Sequence, residues 1–131
     1  MFKKIIEYED FLGEKRKEEC RFHLTETEIL EMNFKRSGAL SSQIQSIIDA
    51  KNLPEIYELF KRIVLASYGE ISEDGRHFMK NDEIRNRFEC SAAYDALMQQ
   101  LTHDEMAAAE FIKFVIPQKV SLPDIKPVTE G

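Results

Sequence analysis

Cys20-Arg21-Phe22-His23-Leu24-Thr25-Glu26-Thr27-Glu28 is the stretch on which the fold turns. In its first half Cys20, Phe22 and Leu24 alternate with Arg21 and His23, as on a strand with one buried face. The second half changes period. Thr25 and Glu28 have the spacing of a capping box, in which hydroxyl and carboxylate each accept from a backbone amide that the first helical turn leaves unpaired. Strand thus passes to helix within a few residues. The chain is predicted to be α+β and mostly helical, an N-terminal β-hairpin packed on a compact bundle of about five or six helices.

Working back from this junction, Phe2 to Glu9 reads as the partner strand, Asp10 to Glu14 as a turn containing Gly13, and Lys15 to Leu24 as the second strand. An isolated hairpin is marginal in water, so one face must lie on helices. His23 falls on the polar face and is expected to be exposed. Lys15-Arg16-Lys17, followed at once by Glu18 and Glu19, reads as a solvated flank of the hairpin.

Working forward, the first helix is predicted to run from Glu26 to the Ser37-Gly38 break. A second carries Leu40, Ile44, Ile47 and Ile48, one apolar stripe. A third, from Pro54 to Tyr68, takes its proline in the first turn, where a missing N–H costs nothing. Ile56, Leu59, Phe60, Ile63 and Val64 line one side of it, and Tyr57, Leu65 and Tyr68 widen the apolar surface, which marks it as the central helix. Gly69 is expected to end it, and Glu70 to Lys80 to form a loop around an Asp74-Gly75 turn.

Asn81 is placed to cap a helix bearing Ile84 and Phe88. After Cys90-Ser91 the next helix carries Tyr94, Leu97, Met98 and Leu101. Thr102 and Glu105 read as another capping box, opening a last helix through Ala107-Ala108-Ala109 to Val115, which Pro117 stops. The expected organisation is a domain over 1–117, with the hairpin in 1–24 and helices in 25–116. Residues 118–131 are expected to form a flexible tail.

Composition narrows the function. The 131 residues suit one domain, and 43% hydrophobic with 32% charged residues supports a packed core under a solvated surface. With 18 Lys and Arg against 24 Asp and Glu, the net charge is −6, which disfavours binding to nucleic-acid phosphates. No apolar run is long enough to span a bilayer, and the acidic N-terminal segment lacks the apolar stretch of a signal peptide. Cys20 and Cys90 have neither pairing nor metal-type spacing. Both are expected as small buried hydrophobes in a reducing cytoplasm.

Chemistry is hard to find. His23, His77 and His103 have no ligand-type partner at helical spacing. No nucleophile elbow and no glycine-rich phosphate loop is present. Ser72-Glu73-Asp74-Gly75 lacks the alternating acidic positions and the bidentate Glu of a calcium loop. Asp104 and Glu105 suit the opening of a helix, where they meet its dipole. The reading is a binding protein, not an enzyme, with no metal and no cofactor. The last helix is the richest surface: its first reading is a helix wholly buried in the core, with Phe111 and Phe114 inward, and the alternative leaves Ile116 and one other residue available to a partner helix.

One segment adds a resemblance. Glu58-Leu59-Phe60-Lys61-Arg62-Ile63-Val64-Leu65-Ala66-Ser67-Tyr68-Gly69-Glu70, continuing into Ser72-Glu73-Asp74-Gly75-Arg76-His77-Phe78-Met79-Lys80, resembles the tail assembly chaperones of siphophages and prophages of Gram-positive bacteria. Those proteins commonly carry a helix ending in Ser-Tyr-Gly, an Asp-Gly-Arg turn, an aromatic and a polar helix start. Phe22-His23-Leu24-Thr25 with Glu28 and Glu31-Met32 resembles their strand-to-helix junction. Ala107-Ala108-Ala109-Glu110-Phe111-Ile112, with Val115, Ile116 and Pro117, resembles their closing helix. His77 departs from the pattern, a second basic residue being common there.

The resemblance implies a chaperone that binds the tape measure protein, keeps it soluble and helps recruit tail tube subunits, directly or through a longer frameshifted form. It also implies a homo-oligomer acting in the host bacterial cytoplasm and absent from the mature virion. Tyr68, Asp74, Arg76, Phe78, Phe114 and Ile116 are the candidate partner-binding residues. The Asp74-Gly75-Arg76 loop with Phe78 reads either as a contact site or as a structural turn. The alternative from another class is a small acidic phage or bacterial regulator that binds a host factor.

Overall fold

A computed structural model describes residues 1–32 and 37–117. The tail expected over 118–131 lies outside the described residues. In chain order the elements are β1 (Phe2–Glu9), β2 (Lys15–Phe22), α1 (Glu26–Glu31), α2 (Ser37–Asp49), α3 (Leu53–Ser67), β3 (Tyr68–Ile71), β4 (Phe78–Met79), α4 (Asp82–Glu89), α5 (Ala92–His103) and α6 (Glu105–Val115). The fold is α+β and mostly helical, as the sequence predicts.

The N-terminal hairpin is as read, except that β2 ends at Phe22 and not at Leu24. Phe2 pairs with Phe22 and Glu9 with Lys15, without interruption between. Even-numbered residues face inward, so Ile6, Cys20 and Phe22 are buried. At the turn Asp10 Oδ1 accepts from the amides of Leu12 and Glu14, both at 2.9 Å, and Gly13 takes a φ of +83°. Thr25 and Glu28 form the predicted capping box.

The sheet continues beyond that hairpin. Phe22 pairs with Tyr68 and Ile71 with Phe78, giving an antiparallel order β1-β2-β3-β4. Glu70 to Lys80 is therefore a short second hairpin, not a loop. Gly69 does not end α3 as a left-handed cap. Tyr68 already leaves the helix in extended conformation, and Gly69 sits inside β3. A Cβ on Gly69 would lie 2.7 Å from Phe78 Cε2 and 2.9 Å from the Met79 carbonyl oxygen. The glycine is there for close approach, not for its φ.

Other boundaries move for local reasons. α1 ends at Met32, whose N–H bonds the Glu28 carbonyl, and Ser37-Gly38 opens α2 instead of breaking α1. Thr102 lies inside α5, its hydroxyl donating to the Met98 carbonyl at 2.8 Å. The cap of α6 is Asp104, whose carboxylate accepts from Met106 and Ala107 at 3.0 and 3.2 Å. Its one-carbon reach to the N2 and N3 amides outcompetes a threonine whose own backbone is still helical. Cys20 is buried as expected but Cys90, at the end of α4, is exposed. His23 is only half exposed. Its N–H donates to the Ser67 carbonyl at 2.8 Å and its ring meets Phe78 edge-on at 6.5 Å.

The core forms where the helices meet the inner face of the sheet. α5 is its hub, packing on β1, α3, α4 and α6, so α3 shares the central place predicted for it. Aromatic rings dominate. Phe22 meets Phe111 at 5.3 Å and Phe88 at 6.1 Å, while Tyr68 stacks on Phe88 at 3.9 Å. Burial of such rings contributes on the order of 2–3 kcal/mol each, with their edge-to-face contacts adding about 1 kcal/mol.

Candidate partner-binding site

The sequence-predicted contact residues divide between two places. Tyr68, Asp74, Arg76 and Phe78 belong to the β3–β4 hairpin, whereas Phe114 and Ile116 belong to the end of α6, beside β1. The sheet order puts these groups at opposite edges. They do not make one site.

Within the hairpin most of these side chains build structure. Asp74 accepts from the Ser72 hydroxyl at 2.7 Å and the Arg76 amide at 3.0 Å, and Gly75 takes a φ of +76°. Those bonds, the Ser72 hydroxyl first, hold the Asp74 carboxyl below the usual carboxylate range. Phe78 covers Gly69 and meets Lys80, whose ammonium lies 5.6 Å from the ring centre. Tyr68 faces inward, and burial pushes its hydroxyl up to about 12. Arg76 is exposed and forms no ion pair among the described residues.

Lys80 anchors this hairpin to the junction that decided the fold. Its ammonium donates to the His23 carbonyl at 2.5 Å and to Glu28 at 2.6 Å. Burial would raise the Glu28 carboxyl, but the bonds from Lys80 and Thr25 outweigh it and hold the group below its ordinary value.

At the other edge the two α6 residues exchange the roles that the partner-surface reading gives them. Phe114, expected inward, is 54% exposed and lies flat against Phe2 at 5.9 Å. Ile116, outward in the partner-surface reading, is 1% exposed and part of the core, as in the reading that buries the helix. Helical spacing explains it. Phe111 and Val115 share the buried stripe, Phe114 falls off it, and the chain leaves the helix at Ile116 with an extended backbone that turns the side chain in.

Two exposed features escaped the sequence reading. Phe11 and Leu12 sit on the β1–β2 turn at 81% and 83% exposure. Between α2 and α3 runs an open groove of about 610 Å³. Ile47, Pro54, Leu59 and Leu65 give it an apolar lining, with Glu55, Glu58, Lys61 and Arg62 among its walls. The signal in the sequence was an α2 stripe longer than one neighbour covers: Leu40 and Ile44 are buried, but Ile47 and Ile48 are only half buried.

Among the described residues no group of three His, Cys, Asp or Glu gathers as metal ligands would, and no helix is long and apolar enough to cross a membrane. What the fold presents is a small α+β domain with an apolar groove and a few exposed aromatics. Residues 1–123 match the model of a family described as phage tail assembly chaperone, and the chain belongs to that family. No curated protein and no solved structure shows significant similarity to it.

Proposed function

We propose that this chain binds the tape measure protein during phage tail assembly, keeps it soluble, and helps bring tail tube subunits to it, directly or through a longer frameshifted form. It does so without a catalytic step, in the cytoplasm of the host bacterium, as a self-associating protein that leaves before the virion is complete. The observation that carries the reading is the α2–α3 groove in a member of the tail assembly chaperone family. A groove with an apolar lining and charges of both signs in its walls suits an amphipathic helix laid along it. Covering such a helix removes the apolar surface through which it would aggregate. Arg76, Phe78 and Phe114 are secondary contact candidates in this reading, since each has exposed or half-exposed surface.

Co-expression with the tape measure protein of the same phage tests the reading. The expected outcome is a soluble complex that copurifies, weakened about tenfold or more by Ile47→Glu, which sets a charge on the apolar lining. A tape measure protein that stays insoluble, with nothing copurifying, refutes it.

A further inference from the structure

The outermost strand of the sheet is β1. Among the described residues it pairs with β2 alone, and its other edge carries no strand. At eight residues it is longer than most strands, and its ladder to β2 runs from Phe2 to Glu9 without a bulge or a proline. The Asp10 N–H donates to the Glu14 carbonyl at 2.8 Å, so hydrogen-bonded pairs in the hairpin fall at even-numbered residues of β1. Lys3, Ile5, Glu7 and Glu9 therefore turn their backbone N–H and C=O groups to the open side. Their side chains point away from the core, and Ile5 among them is 61% exposed. A long edge of this kind, neither bulged nor broken by proline, is a template for another strand whose charges complement its own.

The charge order of the strand selects its occupant. In Phe2-Lys3-Lys4-Ile5-Ile6-Glu7-Tyr8-Glu9 the cations stand in the first half and the anions in the second. An antiparallel copy of the same strand is its electrostatic complement. We propose that a second copy of this chain pairs its own β1 along this edge, about a two-fold axis at Ile5. Lys3 then faces the partner's Glu7, Glu7 faces the partner's Lys3, and the two Ile5 side chains cover each other on the outer face. On the inner face Phe2 meets the partner's Tyr8, beside the exposed Phe114 that already stacks on Phe2.

Neighbouring registers are worse. Side chains must keep to their faces, so the strand slips only by whole steps of the pleat. An axis at Ile6 sets Ile5 against the partner's Glu7. An axis at Lys4 sets Lys4 against itself and Ile5 against the partner's Lys3. The Ile5 register alone matches Lys3 and Glu7 with their opposites and Ile5 with itself. The pairing extends the sheet from four strands to twice that number through an isologous contact. The groove, lined by α2 and α3, stays open in both copies.

This deepens the self-association within the function proposed above. Capture of the tape measure protein is measured separately, so either claim fails without the other. The test is sedimentation equilibrium on the full chain at sub-millimolar concentration. Wild type should be a dimer. Ile5→Lys puts like charges on the axis and should raise the dissociation constant about tenfold or more, and Lys3→Glu or Glu7→Lys alone should do likewise. The double variant K3E/E7K, which restores unlike pairs between copies, should regain the dimer. All three positions are exposed, and thermal melts monitor folding, above all for Glu7→Lys because Glu7 also faces Lys17 within the hairpin. A monomeric wild type, a dimer indifferent to Ile5→Lys, or a double variant that stays as weak as the singles overturns the proposal.

Discussion

The two hairpins of this protein use one turn device and carry opposite loads. In each, an aspartate carboxylate gathers the loop amides and a glycine takes a left-handed φ: Asp10 with Gly13, Asp74 with Gly75. The first turn lifts Phe11 and Leu12 into solvent between strands of eight residues. The second joins strands of four and two residues, and its aromatic, Phe78, folds back over Gly69. A long hairpin is specified by its own ladder and its alternation. A short one is specified by what it rests on, because two or three backbone pairs cannot offset the entropy of ordering them.

If the second hairpin depends on the first, removing their common support should release both. Phe22 is that support, fully buried in β2 between Phe2 and Tyr68 in adjacent strands, with Phe111 and Phe88 on its inner side. Phe22→Ala should cost about 3–5 kcal/mol, read as a shift in the urea midpoint. Hydrogen exchange should show both hairpins losing protection together. A cost under about 1 kcal/mol, or a second hairpin that stays protected, would break the comparison.

The next effects separate packing from backbone strain. Gly69→Ala forces a methyl between the Phe78 ring and the Met79 carbonyl, and should destabilise by about 1–3 kcal/mol. Gly75→Ala meets no atom within 4 Å, but must hold a φ of +76°, which costs about 1 kcal/mol. Thermal melts should rank Gly69→Ala as the more harmful. The reverse order would mean that the short hairpin is held by its turn and not by Phe78.

The same contrast explains what could be read in the sequence. Alternation at Cys20, Phe22 and Leu24 and the Thr25–Glu28 box are local signals, and both the N-terminal hairpin and the start of α1 follow from them. Tyr68 to Ile71 is too short to show a period, and it follows a helix whose apolar pattern runs straight into it. Gly69 then looks like a helix stop, because the reason for the glycine is Phe78, nine positions away and visible only once β4 has paired. Thr102 and Asp104 differ in the same way. Both suit an N-cap, and the choice falls to where α5 runs out of helical backbone. Of the candidate contacts, Arg76 lies exposed in the turn that the Asp74-Gly75 signal marks. Phe114 and Ile116 exchanged faces because the chain leaves the helix at Ile116, a boundary that periodicity alone does not fix. The groove was hidden for a further reason: its lining comes from two helices whose relative placement no local pattern encodes.

The smallest expected effect probes the turns themselves. Both Asp carboxyls are held below the usual range, Asp10 chiefly by the Arg16 guanidinium at 2.6 Å and Asp74 chiefly by the Ser72 hydroxyl. A carboxyl whose folded pKa is depressed stabilises the fold above its unfolded pKa, and that contribution is lost as pH falls through the folded value. Acid should therefore loosen both turns only below the ordinary carboxylate range, and NMR titration of the two Asp side chains gives each midpoint. Salt should then distinguish them. The Asp10 shift comes largely from an exposed ion pair, which mobile ions screen, so its midpoint should climb toward the ordinary value at high ionic strength. The Asp74 shift comes from neutral donors and should stay where it is. Equal movement of both midpoints would mean that the first turn is not held by Arg16, and that the two turns differ in load alone.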